Sequence, residues 1–258
     1  MSPDENNFWY RSVPGGLQST GVAVSPHAQN AQHGSAVAAL VARAAERTEA
    51  PVPMDMVRIT VDLSRRVPSG LTTTSVDVIR AGKRVQVLEV TVLVDGRPYS
   101  RSQVVRMRSG ALLDPNDLPP GEPPVVEDPA RRLDVQPWGE SSFMRGVRPS
   151  FESWEQSSAR YWVTMDDQMI EGEPMSPFVR AAAAADLSLS GGRLAPDHPS
   201  TNADLHIAFH RPPSGTRFLI ESEIQVTPNG WGSSVSTLSD ARGRVASLTK
   251  SILFLGRD

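Results

Sequence analysis

Apolar and polar residues alternate by twos along much of this chain, the signature of strands with one buried face. Val57, Ile59, Val61 and Leu63 alternate with Arg58, Thr60, Asp62 and Ser64. Turn signals at Pro68-Ser69-Gly70, Ala81-Gly82 and Asp95-Gly96 divide the next stretch, predicting strands over 72–80, 84–94 and 98–108. The second half returns to the pattern. Leu205, Ile207 and Phe209 alternate with Asp204, His206 and His210, and turns at Asn229-Gly230 and Asp240 separate the later strands. Phe143 to Phe151 and Tyr161-Trp162-Val163 also read as strand-like. Helical spacing appears from Gly34 to Glu49, where Ala36, Val37, Leu40, Val41 and Ala44 share a face, Gly34 or Ser35 caps the start and Pro51 ends the segment. A second helix is predicted through Ala181 to Leu189, with Ser176 as N-cap, Pro177 in the first turn and a stop at Gly191-Gly192.

The two halves share a register. Arg66-Val67-Pro68-Ser69-Gly70 returns as Arg211-Pro212-Pro213-Ser214-Gly215, a shift of 145 residues from Pro68 to Pro213. The same shift carries Asp95-Gly96-Arg97 onto Asp240-Ala241-Arg242 and Val105 onto Lys250. A repeat this long implies two similar domains, not a solenoid. Each half predicts one small-residue helix and about four antiparallel strands, and such a helix needs a curved sheet around it to bury its sides. The expected fold is α+β: a double hot-dog, two antiparallel curved sheets each wrapped around one central helix. Residues 1–110 form the first copy, 141–258 the second. The stretch 111–140, with Pro115, Pro119, Pro120, Pro123, Pro124 and Pro129 among acidic residues, reads as a surface linker.

Composition narrows the function. Among 258 residues the net charge is −3, so there is no broad basic field for nucleic acid. Cysteine is absent, which removes disulfides and thiolate metal sites and suits a reducing interior. The acidic start Met1 to Glu5 and the lack of a long apolar run predict no membrane insertion and a cytoplasmic protein. His206 and His210 lie opposite their strand's apolar face, and no carboxylate set completes a metal site. No metal or other cofactor is expected. Trp9, Trp138, Trp154, Trp162 and Trp231 read as core and rim.

Several segments carry a resemblance: Gln32-His33-Gly34 at the first helix, Gly172-Glu173-Pro174-Met175-Ser176-Pro177 before the second, Ala184-Ala185-Asp186-Leu187, Asn202-Ala203-Asp204-Leu205 and His210-Arg211-Pro212-Pro213. With these the chain resembles double hot-dog acyl-CoA thioesterases of the thioesterase II type, from about residue 20 to residue 255. The resemblance implies hydrolysis of an acyl-CoA or related acyl thioester, and homo-oligomers. It implies Asp186, Asn202 and Lys250 as the catalytic set, with Asn202 where the family carries threonine and Lys250 where it carries glutamine.

The residues themselves give a parallel reading. Asp186 sits in an otherwise apolar helix near its C-terminal end, where dipole and burial disfavour the charged form, and this suits a group that orients or deprotonates water. Otherwise it is a solvent-facing aspartate at a frayed end. His33-Gly34 offers a helix start that can hold a thioester oxyanion, or simply a cap. It resembles the His-Gly-Gly helix start of some hot-dog thioesterases, with Asn30 just upstream and Ser35 in place of the second glycine. Asn202 either binds water or caps the strand at Asp204. Lys250 either faces Asp186 as an ion pair, making it a weaker base, or points outward. Because Asn202 and Lys250 depart from the family pattern, two other functions stay open: a non-catalytic acyl-binding module, and an acyl-thioester lyase or dehydratase.

Overall fold

The structure, a computed structural model, describes residues 8–26, 28–110, 113–117, 123–135, 142–165, 169–189 and 200–254. The acidic start, Pro119, Pro120, Trp138 and the helix stop at Gly191-Gly192 lie outside them.

The elements are β1 (Tyr10–Val13), β2 (Gly16–Ser19), β3 (Val24–Ser25), β4 (Ala28–Gln32), α1 (Gly34–Arg47), β5 (Met54–Asp62), β6 (Leu71–Ala81), β7 (Val85–Val94) and β8 (Arg97–Arg108). After the linker come α2 (Ser142–Val147), β9 (Ser150–Trp154), β10 (Ser158–Thr164), α3 (Pro177–Asp186), β11 (Ser200–Asn202), β12 (Asp204–Phe209), β13 (Arg217–Val226), β14 (Trp231–Asp240) and β15 (Gly243–Phe254). In the described linker residues, short 3-10 turns at Pro115–Asp117 and Pro129–Arg131 run over the surface.

In place of two separate sheets, the strands of the described residues form one continuous thirteen-stranded sheet, with only the short pair β3–β4 apart from it. The hydrogen-bonded order is β1-β2-β6-β7-β8-β5-β12-β15-β14-β13-β10-β9, with β11 added beside β15. The seam is the antiparallel pair β5–β12, running from Asp204↔Asp62 to Ala208↔Arg58. The strand bounds of the second half repeat those of the first with a shift of 146 residues, as Val85 to Trp231 and Arg97 to Gly243. At that shift Thr60 is the counterpart of His206, and these two residues pair with each other across the seam, Thr60 Oγ1 to His206 Nδ1 at 3.0 Å. The repeated segments therefore meet each other at this pair.

The 145-residue register read from the turns is one residue short in the strands. Asp95 lies in the two-residue turn between β7 and β8, at φ 48°, whereas Asp240 is the last residue of β14 and is buried. Lys250 consequently matches Val104 on the inner face, not Val105.

Asp240 is where the repeated motif closes on itself. Arg211 makes a bidentate pair with its carboxylate, Ser214 donates through both N–H and Oγ, and the Arg242 N–H donates at 2.8 Å. These donors hold the Asp240 carboxyl down at about 2 despite burial. An unfolded aspartate titrates near about 3.9, so the difference stabilises the fold by about 2 kcal/mol. That stabilisation is complete above about pH 4 and is lost as pH falls through about 2. Urea titrations of wild type and Asp240→Asn should therefore differ most at neutral pH and converge toward pH 2. A gap that stays constant with pH would refute this.

The helices lie antiparallel against each other. The start of α1 meets the end of α3, and Arg43 and Arg47 near the end of α1 pair with Glu173 just before α3. The two helices pack against each other, and both are rich in buried alanines, Ala36, Ala38, Ala39 and Ala42 on α1 and Ala181 to Ala185 on α3. Small side chains let two helices approach closely under one sheet.

One segment departs from expectation. Residues 142–147, read as strand-like, form the short helix α2. Phe143 and Val147, four apart, bury one helical face, and Phe143 wedges between Trp9 and His33. Of the tryptophans, Trp9 and Trp162 are buried, Trp154 is half-buried and Trp231 is exposed.

Candidate active site

The start of α1 and the end of α3 form one corner. His33 is the N-cap of α1, and its Nδ1 accepts the Ser35 N–H at 3.1 Å. Its carbonyl takes the Ala36 and Val37 N–H groups. The expected cap, Gly34 or Ser35, is thus displaced by one residue, because an imidazole nitrogen can reach the second N–H as a serine oxygen would. Phe143 stacks on the ring with centroids 4.0 Å apart, fixing its plane.

Asp186 is the last residue of α3, and its side chain is 5% exposed. The solvent-facing alternative is excluded. Its Oδ2 lies 3.4 Å from His33 Nδ1 and accepts the Ser35 hydroxyl at 3.4 Å. The carboxylate presses so closely on Gly34 that a Cβ there would lie 2.5 Å from Oδ2. Gly34 is needed for this close approach; its φ is unremarkable. The end of α3 disfavours a carboxylate, but this one sits at the start of α1, where the dipole favours it.

Lys250, on the inner face of β15, points at this corner and is buried. Its ammonium donates to the backbone carbonyls of Asp186 and Ser188 and lies 3.5 Å from Asp186 Oδ1. Burial pushes the lysine below its ordinary value, and the Asp186 charge opposes that shift. The outward-facing alternative is therefore excluded too. Arg106 does the same for α1, donating to the carbonyls of Ala45, Thr48 and Glu49. In each half a buried cation, Arg106 on β8 or Lys250 on β15, satisfies carbonyls at a helix end.

A cavity of about 220 Å³ opens at the corner. His33, Gly34, Asp186 and Asn202 line it together; Lys250 stands behind the wall. Asn202 is the last residue of β11, so it is not an isolated cap for Asp204. Two buried acceptors stand here: Asn202 Oδ1 has no hydrogen-bond donor among the described residues, and Asp186 Oδ1 has none beyond its ion pair with the Lys250 ammonium at 3.5 Å. Asn30 is not brought to the site. It is exposed, its carbonyl accepts the Ser69 N–H at 2.9 Å, and it does not line the cavity. Arg65, Arg66, Ser188 and Thr201 also line the cavity and were not foreseen. The signal for Arg66 was in the repeat: its counterpart Arg211 pairs with Asp240, whereas Asp95 lies in a turn and Arg66 opens onto the cavity.

The pseudo-symmetric corner is different. Aligned by their caps, Gly34 corresponds to Pro177 and Asp186 to Arg43. Proline has no N–H to offer, and Arg43 is tied to Glu173 at 2.6 and 2.7 Å. Ser176 Oγ donates to Glu46 at 2.7 Å. Among the described residues no cluster of three or more acidic or histidine side chains could hold a metal, and no helix is long and apolar enough to cross a membrane.

Known structures show which fold this is. A protein of unknown function with a hot-dog fold from Alicyclobacillus acidocaldarius matches with a TM-score of 0.75 at 15% identity, covering 96% of each chain. The acyl-CoA thioesterase II TesB2 of Mycobacterium marinum matches at 0.67 and 14%, covering 87% of this chain and 90% of that one. A bifunctional dehydratase-cyclase domain of ambruticin biosynthesis matches at 0.52 and 16%, covering 88% and 83%. No curated protein sequence matches the chain. The architecture is a hot-dog, α+β and mostly antiparallel. The chain belongs to the acyl-CoA thioesterase family: that family's N-terminal domain model matches residues 23–108 and its C-terminal domain model residues 114–254.

Proposed function

We propose that the chain is a double hot-dog, with copies at 1–110 and 141–258 joined by the linker 111–140, and that it hydrolyses an acyl-CoA thioester at the single corner of Gly34 and Asp186. The observation that carries this reading is the pair of buried acceptors at the corner, Asn202 Oδ1 without a donor among the described residues and Asp186 Oδ1 with only its Lys250 ion pair. Buried acceptors are costly unless something donates to them. A water molecule has two O–H donors, and bonds to Asp186 Oδ1 and Asn202 Oδ1 would leave its lone pair for attack.

Asp186 takes a proton as the water oxygen bonds to the thioester carbon. The carbonyl oxygen gains charge beside the first turn of α1. There Ser35, Ala36 and Val37 already have acceptors, and Gly34 supplies the remaining N–H. The C–S bond then breaks, and Asp186 returns the proton to the leaving thiolate. Ser35 and Lys250 act on the position of Asp186, and His33 acts on Ser35. Purified protein should release free thiol from acyl-CoAs in a thiol-reagent assay. No release across chain lengths from two to sixteen carbons, about the range of common acyl groups, would sink the reading.

The contact of His33 with Asp186 supports a second reading. A base from one copy and an acid from the other face one cavity, which is also the equipment for removing water from a β-hydroxyacyl thioester. The likeness to a dehydratase-cyclase domain is one of fold alone. Appearance of an enoyl thioester without thiol release would favour this activity over hydrolysis.

A further inference from the structure

We infer that the site takes a short acyl group, because buried polar networks close both routes by which a chain could pass beneath the helices. This rests on the thioester reading above and adds the substrate's size. The cavity measures about 220 Å³. That is below the roughly 300–1,000 Å³ of common small-molecule pockets, which suits a small acyl group.

The route beneath α3 is stitched to the sheet. Tyr161 donates its hydroxyl to the Leu187 carbonyl at 2.7 Å, the Leu189 N–H donates to Ser222 Oγ at 3.3 Å, and Lys250 holds the carbonyls of Asp186 and Ser188. Behind them Ser222, Ser234 and Ser236 bond to one another. A hydrocarbon entering here would have to displace these hydrogen bonds and lie against an ammonium group. The fold does not demand this polarity. Val104, the counterpart of Lys250, is fully buried and apolar. The second half places its helix-capping cation two residues earlier than Arg106 does, and that sets the charge behind Asp186 and Ser188, which line the cavity.

The route beneath α1 is closed by Gln32, which is buried. Its Nε2 donates to the Pro68 carbonyl at 2.8 Å and to Thr72 Oγ1 at 2.9 Å, and its Oε1 accepts the Tyr10 hydroxyl. Between the two networks the apolar wall, among the described residues, is chiefly Ala31, Val37, Leu63, Val67, Leu187 and Leu189.

Calorimetric titration with non-hydrolysable S-alkyl-CoA thioethers tests this without requiring turnover. From ethyl to hexyl the affinity should rise, then fall about tenfold or more by dodecyl. An affinity that keeps rising through dodecyl, or no binding of any thioether, overturns the inference. A short-chain cut-off in binding with no thiol released from the matching esters would overturn hydrolysis and leave the size limit standing. Lys250→Met should move the cut-off toward longer chains, and Lys250→Gln, which keeps a donor, should not. An unchanged cut-off in a folded Lys250→Met protein removes Lys250 as its cause. If that variant does not fold, the wild-type series decides.

Discussion

Asp186→Asn should lower kcat for thioester hydrolysis by about 10²- to 10⁴-fold, the range expected when a general base is removed. The amide cannot take the proton, but it has nearly the shape of the carboxylate. It keeps an oxygen to accept from Ser35 and stays within the space that Gly34 leaves. Affinity for a thioether analogue should therefore change little. Loss of kcat at constant affinity marks a group that acts in the transition state. Equal loss of both would mean that Asp186 only shapes the cavity, and unchanged turnover would place the base elsewhere.

Gly34→Ala should be nearly as damaging by another route. The new methyl would stand 2.5 Å from Oδ2 and 2.8 Å from both Cγ and Oδ1, so the carboxylate must move. A displacement of about 1 Å at a reacting group can cost ~100-fold in rate. Crowding of a packed site also costs about 1–3 kcal/mol of stability. A double-mutant cycle separates this from ordinary helix damage. Alanine at 186 removes the clashing atoms, so the stability cost of Gly34→Ala should largely vanish in an Asp186→Ala background. A cost that persists there would show that the glycine is needed for something other than the carboxylate.

The sequence made the strands legible because their burial alternates cleanly, and β5 to β8 lie within a residue or a few of the expected bounds. The helix α3 was announced by Ser176 and Pro177, and both sit where capping chemistry puts them. Residues 142–147 misled because an aromatic run looks the same whether it pairs in a sheet or folds over a helix start. Only the contact of Phe143 with His33 tells the two apart. Asp186 could be singled out as an acid in an apolar helix. That it rests on Gly34 could not, since the two are far apart in sequence and their meeting depends on the antiparallel packing of α1 and α3. The inward direction of Lys250 hinged on a one-residue register. Asp95 and Asp240 look equivalent in sequence, yet one occupies a turn and the other ends a strand.

The seam has a consequence for assembly. Neither β5 nor β12 has a second strand partner until the other arrives, so each copy alone would present an open sheet edge. The corner at Gly34 and Asp186 also needs both. Nothing in the β5–β12 register requires its two strands to come from the same chain. A second molecule offers the same edges, and two chains could exchange halves and rebuild the same corners in a swapped dimer. Shortening the linker until it cannot span its own chain would favour that exchange, seen as a doubling of mass with the sites intact, while cutting the chain in two would leave halves that must find each other before either corner exists.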